Sequence, residues 1–152
     1  MKRSKLLLGI FSLVFSIVLL GEMREMNGTL EERRGNIIFI KGEKEPYTGI
    51  LVKEFLYGEI IGKLDIMRGL YNGELFFYHK NGQLYSKFKV IGGKFQDGST
   101  KLYGKKGLCI GRITFKNGKM IEKVIYRGGK VLIDKNHYTL DEVLYEKSNF
   151  DE

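Results

Sequence analysis

The residues able to make or break bonds are few and scattered. The chain has 152 residues but only two histidines, His79 and His137, and one cysteine, Cys109. Metal centres take three or four close-set nitrogen, sulfur or oxygen ligands, and neither histidine has a cysteine near it in sequence. His79 falls at a strand end beside a turn, where a solvated ring is expected. A single cysteine makes no intrachain disulfide. Cys109 lies on the apolar parity of its segment, so it is expected as a core thiol, not a nucleophile. The carboxylates Asp65, Glu74 and Asp97 are dispersed over strand and turn positions, whereas paired acid-base work needs two groups at a defined separation. The glycines recur at turns and open no helix, which argues against a phosphate cradle. The expectation is no catalytic residue, no metal, no cofactor, and a protein that is not an enzyme.

The chemistry that remains is charge. Lysine and arginine number 26 against 18 acids, a net of +8, and residues 47–130 alone hold sixteen basic and six acidic side chains. Within that span Lys87, Lys89, Arg112, Lys116, Lys123 and Arg127 share one parity on successive alternating segments. If those segments are neighbours in one sheet, the six form a basic stripe that attracts anionic partners. The plainer reading is a solvated face, with lysines that keep the sheet soluble and discourage edge pairing.

The elements that must carry this face come from an internal repeat. Glycines fall at Gly49, Gly58 and Gly69, then Gly73, Gly82 and Gly93, then Gly98, Gly107 and Gly118, and a half copy ends at Gly129. Starts are 24 and 25 residues apart, and the spacing within each copy is the same, as in stacked repeat architectures. After Gly58, Gly82, Gly107 and Gly118 the residues alternate. One parity reads Ile60, Gly62, Leu64, Ile66; then Leu84, Ser86, Phe88, Val90; then Cys109, Gly111, Ile113, Phe115; then Met120, Glu122, Val124, Tyr126. Alternation over eight residues marks half-buried strands. Leu64, Leu84, Phe88, Cys109, Ile113, Phe115 and Val124 should therefore face the core, with Arg112, Lys116, Lys123 and Arg127 exposed. Asn81-Gly82, Asn117-Gly118, Gly92-Gly93 and Gly128-Gly129 supply hairpin turns. About nine strands follow, the first at 36–41 and the last near 130–133. Aromatic residues recur with the repeat, from Phe55 and Phe76–Tyr78 to Tyr85, Phe88, Tyr103, Phe115 and Tyr126. They are expected mainly in core and cross-strand packing, with an exposed aromatic groove as the alternative.

Outside the repeat the pattern changes. Residues 1–21 join three positive charges to an uncharged apolar run, Leu6 to Leu20. That is the form of a signal peptide or an uncleaved N-terminal membrane anchor. Residues 22–35 are charged and aperiodic, a linker that could be helical. Residues 36–133 form the β-repeat domain. In the tail, 134–152, Thr139-Leu-Asp-Glu142 has the form of a capping box before the apolar positions Leu140, Val143 and Leu144, so a short C-terminal helix is expected.

The unit Gly73-Glu-Leu-Phe-Phe-Tyr-His-Lys-Asn-Gly82-Gln-Leu and the lead-in Gly42-Glu-Lys-Glu-Pro46-Tyr47-Thr48-Gly49 resemble the bacterial MORN-repeat variant proteins, which include the YwqK-type antitoxin family. The similarity covers about residues 33–130. The first copy departs from it, with Tyr57 at the turn asparagine and Gly62 within its second strand. The resemblance implies an all-β fold, an elongated antiparallel meander of hairpins, with a protein- or membrane-binding role and no catalysis. With the N-terminal segment it points to an exported, envelope-associated interaction module whose partner is a protein or an anionic envelope component. The alternative is an antitoxin-like or nucleic-acid-binding regulator in the cytoplasm.

Overall fold

The computed structural model describes residues 24–55 and 58–146, so the segment expected as a signal or anchor, residues 1–21, lies outside the described residues. The fold is all-β. Twelve strands are present among the described residues: β1 (Glu25–Asn27), β2 (Glu31–Arg34), β3 (Ile37–Ile40), β4 (Gly49–Phe55), β5 (Ile60–Met67), β6 (Leu70–His79), β7 (Leu84–Ile91), β8 (Lys94–Phe95), β9 (Gly98–Tyr103), β10 (Cys109–Lys116), β11 (Lys119–Arg127) and β12 (Lys130–Asp134). They form a six-stranded sheet, β1-β4-β5-β6-β7-β8, a four-stranded sheet, β12-β11-β10-β9, and the β2-β3 hairpin. All pairings are antiparallel except β1 with β4.

The sequence period is a backbone period. Gly49 and Gly98 open β4 and β9, while Gly73, at the equivalent repeat position, falls within β6; their φ values are 151°, 138° and 122°, which an L side chain rarely adopts. Gly58, Gly82 and Gly107 have φ of 89°, 85° and 78°. Arg68-Gly69, Gly92-Gly93, Asn117-Gly118 and Gly128-Gly129 each place two positive-φ residues in a row, the signature of type I′ hairpins. Asn81-Gly82 is built differently. Only Gly82 is left-handed, and Gly82 N–H donates to the His79 carbonyl at 2.8 Å, a longer turn that leaves a bulge.

Two expectations about the ends change. Residues 25–34, expected as a linker, contain β1 and β2. Tyr47 fixes this region: its hydroxyl donates to the Arg24 carbonyl at 2.7 Å, and its burial pushes the phenol pKa up. The short charged strands lack a strong apolar period because they are tied to the lead-in, not to the core alone. At the other end the capping box forms, with Thr139 N–H donating to Glu142 Oε2 at 2.6 Å and Glu142 N–H to Thr139 Oγ1 at 3.3 Å. The helical turn that follows includes Glu142–Glu146 and buries Leu140, Val143 and Leu144.

The expected continuous array is broken after β8. Between β5 and β6 the Asp65 carboxylate accepts the Glu74 N–H at 3.1 Å, which lets the strands re-pair beyond the irregularity at Gly73. One copy later Lys89 stands in the place of Asp65 and has no acceptor to offer, and the linking turn is one residue longer. Asp97 instead accepts the Asn117 N–H at 2.8 Å. β9 therefore starts a second sheet. The two sheets still share one core, in which Phe88 contacts Phe77, Phe95 and Phe115 at ring centroid distances of 5.0, 5.8 and 5.4 Å.

Candidate binding surfaces

The face on which each side chain stands follows from the register. Leu64, Phe88, Ile113 and Phe115 are buried in the core as expected. Cys109 is exposed and Leu84 only half-buried, against expectation. The bulged turns after Gly82 and Gly107 insert one residue, marked by register shifts at Phe77/Tyr78 and Cys109/Gly111. Parity flips there, so Tyr85 is buried and Ile110 packs against the core in place of Leu84 and Cys109.

A third shift, at Thr114/Phe115, flips most of β11. Beyond it Ile113 faces Lys123 and Gly111 faces Ile125, while Arg112 faces Val124. Directly opposed residues share a face, so Lys123 stands on the side of Ile113. Arg127, four residues along the same strand, shares that side. Val124 is buried, yet on the outer face and outside the central cluster. The physical reason is a missing glycine. Gly69 and Gly93 are followed within five residues by Gly73 and Gly98, whereas Gly118 is followed by Glu122 and Lys123, so a high-φ opening is unavailable and the strand re-pairs with one residue fewer.

The six-cation stripe is consequently divided. Lys87, Lys89, Arg112 and Lys116 are exposed on the outer face; Lys123, half-buried, and Arg127, exposed, lie on the other. The outer face gains Lys63, opposite Phe76, and Lys101, opposite Arg112. Lys101 was legible only from the parity of the short arm, where alternation is too brief to notice. Acids partly neutralise this surface: Glu74 meets Lys87 at 3.4 Å and Glu122 meets Arg112 at 3.3 Å. Lys87 also sits over the Phe76 ring at 5.8 Å, and Phe76 stacks on Tyr78 at 6.2 Å. Where the β7–β9 ladder fails, a hollow of about 260 Å³ opens, lined among others by Phe88, Phe115, Lys87, Lys89, Gln96 and Asp97.

The polar residues singled out for chemistry have structural roles. His79 is buried, not solvated; its Nε2 donates to the Tyr103 carbonyl at 2.7 Å and its ring meets Tyr85 edge-on at 5.3 Å. Asn81 Nδ2 donates to the Lys105 carbonyl at 2.9 Å. These two bonds tie the hairpin tips of the two sheets together and satisfy two carbonyls of the β9–β10 hairpin. Asp65 and Asp97 cap backbone N–H groups, as described above. Among the described residues no three His, Cys, Asp or Glu side chains converge on a possible metal position, and no helix is long and apolar enough to cross a membrane.

No known family model matches the chain, and no curated protein does. Among solved structures, one described as the crystal structure of a GtfA/B complex aligns with 75 % of this chain and 21 % of its own length at 8 % identity; its TM-score of 0.21 is too low to carry a structural or functional argument.

Proposed function

We propose that this chain is a non-catalytic binding protein of MORN-like hairpin repeats that docks its outer sheet face on an anionic surface of the cell envelope, with residues 1–21 as the export signal or anchor. The observation that supports it best is Lys101 directly opposite Arg112 on adjacent strands of an outer face that also carries Lys63, Lys87, Lys89 and Lys116. Like charges facing each other across a ladder are destabilising; Glu122, 3.3 Å from Arg112, offsets part of that cost, and a bound anionic surface offsets the remainder. Each cation near such a surface contributes about 1 kcal/mol. Half-buried aromatic residues between the lysines, Phe76 and Tyr78, suit the interface between headgroups and acyl chains.

A fragment beginning at residue 24 should co-sediment with vesicles rich in anionic lipid and not with neutral ones. Binding should weaken from 0.1 to 1 M salt, because the screening length falls from about 10 to about 3 Å. Equal binding to neutral vesicles would remove the electrostatic basis of this reading. Cell fractionation with N-terminal sequencing tests the location: a chain recovered whole from the soluble cytoplasm would favour the antitoxin-like or nucleic-acid-binding alternative.

A further inference from the structure

The outermost strand of the second sheet carries a feature that the docking face does not use. β12 reads Lys130-Val131-Leu132-Ile133-Asp134 and is the terminal strand of its sheet, paired only with β11 among the described residues. Val131, Leu132 and Ile133 are 56 %, 46 % and 57 % exposed. A long apolar edge with unpaired backbone is a template for another strand unless it is guarded. Here no proline or bulge guards it.

We infer that this edge recognises itself: two copies of the chain pair through β12, antiparallel, about a two-fold axis at Leu132. The backbone sets which residues face outward. The Gly128-Gly129 turn is closed by Arg127 opposite Lys130, and Ile125 opposite Leu132 and Lys123 opposite Asp134 follow. In an antiparallel ladder hydrogen-bonded and non-bonded pairs alternate, and the residues that close a two-residue turn are a bonded pair. Lys130, Leu132 and Asp134 thus direct their N–H and C=O to β11, and those of Val131 and Ile133 point to the open side. Pairing about Leu132 places Val131 opposite Ile133 of the second copy, twice, which bonds all four outward residues.

The side chains choose the same register. Lys130 comes opposite Asp134 of the second copy, again twice, and Leu132 meets Leu132. The next registers the backbone allows are shifted by two residues. They set Lys130 against Leu132 or Asn136 and lose both ion pairs. A sequence that is apolar in the middle and oppositely charged at its ends, on a strand whose outward groups fall at the two flanking positions, is complementary to its own reversed copy. Self-complementarity is what a two-fold interface requires. One strand-to-strand contact is smaller than a standard stable interface, so the association is weak and concentration-dependent.

Cysteine crosslinking of the full chain, in membranes or detergent and in a Cys109→Ser background, reads the register. At a non-bonded antiparallel pair the Cα atoms stand about 4.5 Å apart, inside the disulfide range of about 4.4–6.8 Å. Leu132→Cys should therefore give a disulfide-linked dimer on mild oxidation. Val131→Cys is equally exposed, but the two copies of residue 131 are diagonal neighbours about 7–8 Å apart and should crosslink severalfold less. Adding Lys130→Glu to Leu132→Cys, which opposes two acids, should lower the dimer yield while the circular dichroism of the sheet is unchanged. Equal crosslinking at 131 and 132, no crosslinking at 132, or indifference to Lys130→Glu would each overturn the inference. Both cysteine variants keep the same residues 1–21, so association through that segment cannot produce the difference.

Discussion

Ser86 is fully buried, and its hydroxyl meets no hydrogen-bonding group among the described residues. The same repeat position is Gly62 in the preceding copy and Gly111 in the next. At Gly62 an added Cβ would stand 2.7 Å from the Phe55 ring, so the position is kept small to admit neighbouring bulk. The methyl of alanine already fits where serine does. Ser86→Ala should raise unfolding free energy by about 1 kcal/mol in urea titrations, because an unsatisfied buried hydroxyl carries a desolvation cost with no return. A loss of stability would mean that the hydroxyl has a partner. Tyr85 makes a second residue-scale test. Burial holds its phenol pKa far above the usual value of about 10, and Tyr47 is raised for the same reason. A raised folded-state pKa contributes fully below the unfolded value and is lost as pH climbs toward the folded one. Stability should therefore decline above about pH 10, and Tyr85→Phe should flatten that decline. The burial of Ser86 follows from the alternation, but that of Tyr85 was not legible in sequence. Simple alternation puts Tyr85 outside, and only the bulge after Gly82 turns it inward.

At the scale of strands and turns, glycine was the legible signal and its conformations explain why. Gly73 and Gly98 both hold φ values unsuited to side chains, but their surroundings differ. An added Cβ at Gly73 would meet Asp65 Oδ2 at 2.7 Å, whereas at Gly98 it meets nothing within 4 Å. Gly98→Ala should therefore cost the backbone strain alone, about 1–3 kcal/mol. Gly73→Ala should cost more, since it also displaces the carboxylate that accepts the Glu74 N–H. Thermal or urea unfolding of the two variants gives the ordering, and a reversed order would contradict the assigned role of Asp65. Strand existence and most turn positions could be read from spacing and alternation. The faces could not, because a one-residue bulge leaves composition untouched and yet reverses the alternation between the side chains on its two sides. Cys109, Leu84, Lys123 and Arg127 were all misplaced by that mechanism. The absence of a glycine four or five residues after Gly118 was the available clue to the flip of β11.

Across the whole molecule, the break between β8 and β9 converts one expected array into two sheets joined by an aromatic cluster and by the His79 and Asn81 clamps. Phe88 stands at that junction, in ring contact with residues of both sheets. Phe88→Ala should cost about 3–5 kcal/mol, the range for a large aromatic lost from a packed core; a cost below about 1 kcal/mol would show that the sheets are not held through it. The division also decides which charges can act together. Lys101 and Arg127 are both exposed, but Lys101 is on the outer face beside Arg112, and Arg127 is on the opposite face. Measuring vesicle affinity of the single reversals Lys101→Glu and Arg127→Glu, in fragments confirmed as folded, tests the proposed docking face most directly. Reversing one contacting charge removes about 2 kcal/mol at about 1 kcal/mol per unit charge, so Lys101→Glu should weaken binding to anionic vesicles by about thirtyfold while Arg127→Glu changes it less than about threefold; equal losses in the two variants, or the larger loss at Arg127, would contradict it.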